Sequence, residues 1–159
     1  MAIASLRAGE TISAGDALFV SSTGLVFKAL ADTQDHASVV GLAVNGGSAG
    51  DLIRVNTDAI YTSSNTYVPL QRLYLSLSAS GGLTDYDSVA SGLALTTYLG
   101  AYITEIGSAV TANKINVEVT VPRYIVNTTS VLLLETSAGL TIDAILQEDG
   151  STITTEDAA

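Results

Sequence analysis

The four-residue phrase Ser-Ala-Gly-Asp occurs twice, at residues 13–16 and 48–51, and each copy runs straight into a short apolar stretch. Glycine in the third place can take positive φ, and aspartate in the fourth can bond its own downstream backbone, so each phrase predicts a tight turn. The first copy opens residues 12–29, ISAGDALFVSSTGLVFKA, which read as one β-hairpin. Its strands are 17–20 and 25–28, joined by the turn Ser21-Ser22-Thr23-Gly24. The second copy leads into the strand pattern Leu52-Ile53-Arg54-Val55. A turn-then-strand unit used twice predicts a small β-domain.

The rest of the chain fits that frame. Residues 1–10 read as a short strand or an ordered arm. Residues 39–44, VVGLAV, have strand length, and the interior Gly41 predicts a bulge or a close backbone contact. Residues 72–78 alternate, with Leu73, Leu75 and Leu77 on one side and Arg72, Tyr74, Ser76 and Ser78 on the other. Residues 83–99 contain Val89, Leu93 and Leu99 at near-helical spacing. Gly92 and several Ser and Thr oppose a helix, so the stretch is read as loop with short strands. Residues 101–106 read as a strand and residues 111–114 as a turn. Residues 115–121, INVEVTV, alternate most cleanly, with Ile115, Val117, Val119 and Val121 inward, before Pro122 ends the run.

Beyond Pro122 two greasy hairpin patterns follow, over residues 132–142 and 145–154. Asp149-Gly150 is the turn signal of the second. A tail this short cannot make its own core, so it must lie on the main domain or on another chain. Residues 156–159 are expected to fray. The expected organisation is a β-barrel or sandwich domain over residues 1–122 and a C-terminal hairpin arm or tail over residues 123–159. The fold class is all-β: a small antiparallel barrel or sandwich with a C-terminal hairpin extension.

Composition narrows the function classes. The 159 residues include no cysteine and one histidine, which removes disulfides, thiolate zinc sites and a cysteine nucleophile. The net charge is −10, and the six basic residues (Arg7, Lys28, Arg54, Arg72, Lys114, Arg123) are scattered. A phosphate backbone needs clustered cations, so nucleic acid is not the expected partner. The opening MAIASLRAGE reads as too polar and short for a signal peptide, and no run of about 18 apolar residues predicts a membrane span.

Several residues invite chemistry, and each has a plainer reading. His36 lies beside Asp35 and near Asp32, but it has no partners at metal-ligand spacing and reads as a solvated loop histidine. Asp85 and Asp87 could touch calcium, yet no glycine-centred twelve-residue loop follows, so a polar turn is expected. Residues 45–50 are glycine-rich but lack the context of a phosphate loop. Residues 46–50 match the letters of a G-x-S-x-G nucleophile elbow around Ser48, but a strand pattern follows where a helix is needed, and the single histidine lies upstream. Asp85, Asp87 and Glu105 supply carboxylates for a glycoside hydrolase if the fold brings two together. The seven tyrosines (Tyr61, Tyr67, Tyr74, Tyr86, Tyr98, Tyr102, Tyr124) could build a sugar platform, though in small β-proteins they more often cover a core edge or an interface. The expectation is therefore no catalytic, cofactor-binding or metal site, no cofactor, and no enzyme.

One resemblance adds to this. The units Ala14-Gly15-Asp16, residues 24–29, residues 39–43 and Ala49-Gly50-Asp51, with the later YLSLSASGGLTDYDS and ITEIGSAVTANKINVEV, resemble small β-domain proteins of tailed bacteriophages. That group includes capsid decoration, or cement, proteins. The similarity covers about residues 8–121. It implies a virion structural protein on the outer capsid surface that stabilises the major capsid protein shell, acting as a homo-oligomer, a trimer. It carries no functional residues over, because such proteins act through surfaces. Residues 1–10 and 131–155 are the candidates for strand addition to neighbours. The alternative is a phage tail or fibre module for host recognition or carbohydrate binding.

Overall fold

The computed structural model describes residues 3–94 and 98–126, and beyond them the strand residues 145–146 and 152–153. The chain divides into two compact units, Met1–Thr128 and Thr129–Ala159. The fold is all-β and antiparallel. Among the described residues no sheet closes into a barrel, and the first unit is sandwich-like.

The first sheet contains β1 (Ile3–Arg7), β2 (Ala17–Val20), β3 (Val26–Lys28), β4 (Val39–Ala43) and β5 (Leu52–Asn56), in the order β1-β5-β4-β2-β3. The second contains β6 (Ile60–Thr62), β7 (Arg72–Leu75), β8 (Leu83–Asp85), β10 (Glu105–Thr111) and β11 (Lys114–Val117), in the order β6-β11-β10-β7-β8. A two-stranded pair joins β9 (Tyr102–Ile103) to β12 (Arg123–Tyr124). Among the described residues two helices interrupt the strands, α1 (Gln34–Ala37) and α2 (Tyr86–Ala94). In the second unit β13 (Ile145–Leu146) pairs with β14 (Thr152–Ile153), Ile145 opposite Ile153. The Asp149-Gly150 turn, the hairpin over residues 132–142 and the end at 156–159 lie outside the described residues.

Two cores hold the first unit. One lies between the sheets: Ala17, Phe19, Val39 and Leu42 from the first meet Leu73, Leu75, Ile106, Ile115 and Val117 from the second. The other uses the opposite face of the first sheet and gathers Leu18, Val26, Ala43, Ile53 and Val55 with Ala8 and Ile12. This sheet curls until Ala8, just past β1, bridges Val26 on β3, which brings its two edges to a single point of contact. Adjacent residues such as Leu18 and Phe19 are both buried for that reason: each faces a different core. Burying a side chain of this size stabilises by about 1.5–3 kcal/mol.

The two Ser-Ala-Gly-Asp phrases fold as the same clamp. Ser13 N–H donates to Asp16 Oδ2 at 2.8 Å, and Ser48 N–H to Asp51 Oδ2 at 2.8 Å. Gly15 and Gly50 adopt φ of 95° and 92°, the conformation glycine supplies without strain. Each turn then grips a buried alanine. Gly15 N–H donates to Ala43 O, and Ala43 N–H to Asp16 O. Gly50 N–H donates to Ala8 O, and Ala8 N–H to Asp51 O. The aspartates thus bond backwards to their serines, not downstream as expected.

The glycine inside β4 is a bulge. Leu18 pairs with Gly41 and Phe19 with Val39, which leaves Val40 unpaired. The extra residue resets the alternation, so Val39 and Leu42 share the intersheet core while Val40 and Ala43 share the other. Gly107 marks a similar irregularity in β10.

Three expectations need correction. Residues 86–94 form helix α2 instead of loop. Asp85 supplies its N-cap: Asp85 Oδ1 accepts Ser88 N–H at 2.8 Å, which satisfies one of the unpaired amides of the first turn. Val89 then packs inward at 3% exposure, and this burial outweighs the weak propensity of Ser and Gly. Second, the inward alternation of residues 115–121 ends early. Ile115 and Val117 are buried, Val119 is half-buried, and Val121, past the last paired residue of β11, is 81% exposed. Third, Tyr74 on β7 and Ser76 just past it, on the side expected to be polar, are buried. Residues 3–7, read as a strand or arm, lie along β5 over their whole length and form an edge strand.

Candidate functional site

The carboxylates considered for hydrolysis are not brought together. Asp85 stands opposite Leu73 on β7, and Glu105 stands opposite Tyr74, the next residue, so the two point to opposite faces of the second sheet. Asp85 is occupied as the cap of α2 and also accepts from Gln71 Nε2 at 3.3 Å. Its hydrogen bonds from the Ser88 side chain and backbone hold its carboxyl below the usual carboxylate range. A general acid in such chemistry needs the opposite shift. Asp87 sits exposed in the first turn of α2, where the helix dipole favours an anion. Glu105 faces Arg72 at 3.4 Å. Among the described residues no group of three His, Asp or Glu is arranged to hold a metal ion.

Ser48 sits in the second clamp turn, and the strand β5 follows it, as its sequence context indicated. His36 lies on α1, a single turn capped by Thr33, whose hydroxyl accepts His36 N–H. Its Nδ1 is 2.8 Å from Asp32 Oδ1, and its ring packs on Phe19 with centroids 4.9 Å apart. Phe27 lies 6.0 Å from Phe19. These rings line an open groove of about 610 Å³ together with Val20, Ser22 and Asp35. Gly9 is required beside it, because a Cβ there would run into the Phe27 ring.

The tyrosines do not form one platform. Tyr61, Tyr74 and Tyr98 are buried, and burial is the first cause that raises the pKa of each. Tyr86 and Tyr124 are exposed, and each leans on another tyrosine. Tyr86 is 6.3 Å from Tyr74, and Tyr124 is 5.1 Å from Tyr102.

One surface feature escaped sequence reasoning. Residues 68–71 form a β-turn closed by Gln71 N–H to Val68 O, with Pro69 in the second place and Leu70 in the third. Leu70 takes φ +69° and is 87% exposed. Such a turn asks for Gly or Asn in the third place, and leucine there costs energy without burying anything. The Pro-x pair was its only signal in the sequence. Leu70 N–H bonds to Ala109 O, which sets the exposed Val68 and Val110 on adjoining segments.

A scan against protein-family models and a search of curated proteins both return no match for this chain. No helix among the described residues is long and apolar enough to cross a membrane.

Proposed function

We propose that the chain is a virion structural protein that binds the outer surface of a bacteriophage capsid as a homo-oligomer and stabilises the shell of major capsid protein. The observation that carries this assignment is the pair of Ser-Ala-Gly-Asp clamps. The phrases on which the resemblance to phage decoration proteins rests are the ones that tie β1, β2, β4 and β5 together. Exposed apolar side chains, among them Leu52 and Ile60 at strand ends and Val121 between β11 and β12, supply area that a partner would bury. The mechanism is interfacial. Each copy spans a joint between capsid subunits, and burial across the joint opposes outward pressure from packaged DNA. Several weak contacts per oligomer give avidity without a tight single contact.

The test is heat challenge of DNA-filled capsids of the same virus, with and without added protein. Release of DNA at a higher temperature in the presence of protein is the expected result. Unchanged release at saturating protein refutes the assignment. A phage tail or fibre module that binds carbohydrate is the second reading, favoured by the exposed Tyr124 beside Tyr102. Binding on a glycan array that is lost in Tyr124→Ala would move the assignment there.

A further inference from the structure

Asn45 and Gly46 sit where the two clamps meet. The first clamp grips Ala43, just before them, and the second begins at Ser48, just after. Ile12 and Gly47, the residues directly before the two Ser-Ala-Gly-Asp phrases, pair with each other: Ile12 N–H donates to Gly47 O at 2.8 Å, and Gly47 N–H to Ile12 O at 2.9 Å. Asn45 ties this joint to β5. Its Oδ1 accepts Arg54 N–H at 2.8 Å, and its Nδ2 donates to Leu52 O at 3.2 Å and to Gly46 O at 3.1 Å. Gly46 is set by space, because an added Cβ would stand 3.0 Å from Ile12 O.

The fold therefore uses an asparagine followed by glycine, and that pair is chemically labile. With no Cβ on the second residue, nothing obstructs attack of its backbone nitrogen on the asparagine side chain. Among the asparagines of the chain, only Asn45 precedes a glycine. Gly46 is exposed, and its N–H makes no hydrogen bond among the described residues. We propose that Asn45 is a deamidation site that the fold holds in check, and that the reaction, once it occurs, unties the joint between the clamps. This goes beyond the reading above and requires no capsid.

The Gly46 nitrogen gives its proton to solvent and attacks Asn45 Cγ. The N–Cγ bond forms, the Cγ–Nδ2 bond breaks, and Nδ2 takes a proton from solvent and leaves as ammonia. Water then opens the cyclic imide. Cleavage of the N–Cγ bond leaves aspartate, and cleavage at the Asn45 backbone carbonyl leaves isoaspartate. In the folded chain Nδ2 can leave only by giving up its bonds to Leu52 O and Gly46 O, while the Ile12–Gly47 pair holds the backbone beside the nucleophile in place. Local opening of the joint releases both restraints together. Either product deprives Leu52 O of its donor and sets a charged oxygen in its place. Isoaspartate also adds a main-chain carbon between Ala43 and Ser48, so the two clamps can no longer both keep their register.

The test is incubation of the full chain in mildly alkaline buffer, with and without denaturing guanidinium chloride. Trypsin digestion and mass spectrometry then follow peptide 29–54, in which Asn45 is the only asparagine. The unfolded chain is expected to convert Asn45 to a mixture of aspartate and isoaspartate. The folded chain should do so about tenfold or more slowly, because hydrogen bonds must break first. Equal rates, or no conversion of Asn45 in the unfolded chain, would overturn the proposal. Asn45→Asp supplies one product directly and should melt below wild type. An unchanged melting temperature would overturn the claim that modification unties the joint. None of these results depends on whether the protein binds capsids.

Discussion

Gly41→Ala should be among the most damaging single-methyl additions in this protein, and its cost follows from two separable terms. Gly41 has φ +154°, where side chains are rarely accommodated, and a backbone strained in this way costs about 1–3 kcal/mol. An added Cβ would also collide with the carbonyl oxygen of Asn56 on β5 and come within 2.9 Å of Val55 Cγ1, both on a strand buried between neighbours. Overpacking of this kind adds about 1–3 kcal/mol. The total is about 2–6 kcal/mol, a large share of the roughly 5–15 kcal/mol that holds a domain folded. Gly24→Ala is the control: its φ is +78°, but nothing lies within 4 Å of the added carbon, so only the backbone term applies. Urea unfolding of the full chain, followed by far-ultraviolet circular dichroism, measures both. Gly41→Ala should lower the midpoint by roughly 1 M or more with an unchanged slope, and Gly24→Ala by clearly less. Equal losses for the two variants would refute the claim that the β4 bulge depends on close approach of the Asn56 backbone.

Three further outcomes follow from the same geometry. Asp85→Ala removes the α2 cap and should cost about 1 kcal/mol near neutral pH, measured by urea unfolding. Because the Ser88 hydrogen bonds depress the folded-state pKa of Asp85 below the ordinary carboxylate value, its contribution is present above that value and lost as pH falls through the folded one, so wild type and variant should converge in acid. Burial raises the pKa of Tyr61, Tyr74 and Tyr98. An ultraviolet titration should show three tyrosines ionising late, and stability should fall as pH rises above 10, where the unfolded chain ionises first. Thr104 is fully buried and donates its hydroxyl to Ala37 O at 2.8 Å, so Thr104→Val should cost about 1–3 kcal/mol by leaving that carbonyl unpaired, read as a lowered melting temperature.

The sheets were legible because period-two patterns and glycine turns are local signals. The 12–29 hairpin, the paired clamp turns and the bulge at Gly41 all announce themselves through a glycine in a strand-rich context. What could not be read depended mostly on burial and on partners outside each segment. The Asp85 cap of α2 is a local signal, but the burial of Val89 that outweighs the weak propensity of the helix's own residues is not. Alternation through Val121 continued beyond the pairing of β11, since a sequence pattern does not show where pairing stops. Tyr74 was assigned to a polar face because nothing in residues 72–78 reveals that Tyr86, on α2, covers it. The candidate surface shows the same division. His36 and Asp32 were visible as neighbours in sequence, but the place of the His36 ring against Phe19 arises from the tertiary fold. Leu70 was concealed because its importance lies in a dihedral angle, and the Val68-Pro69-Leu70-Gln71 sequence only hints at the turn.

The most direct test of the central claim, that this protein acts through its surface on a capsid, is a binding measurement. Purified full-length protein is mixed with capsids of the same virus assembled without it, and the particles are pelleted and imaged. Saturable binding, with added density at symmetry-related positions on the outer shell, is the predicted result. Protein that stays in the supernatant at every ratio, with particles indistinguishable from untreated ones, would contradict it.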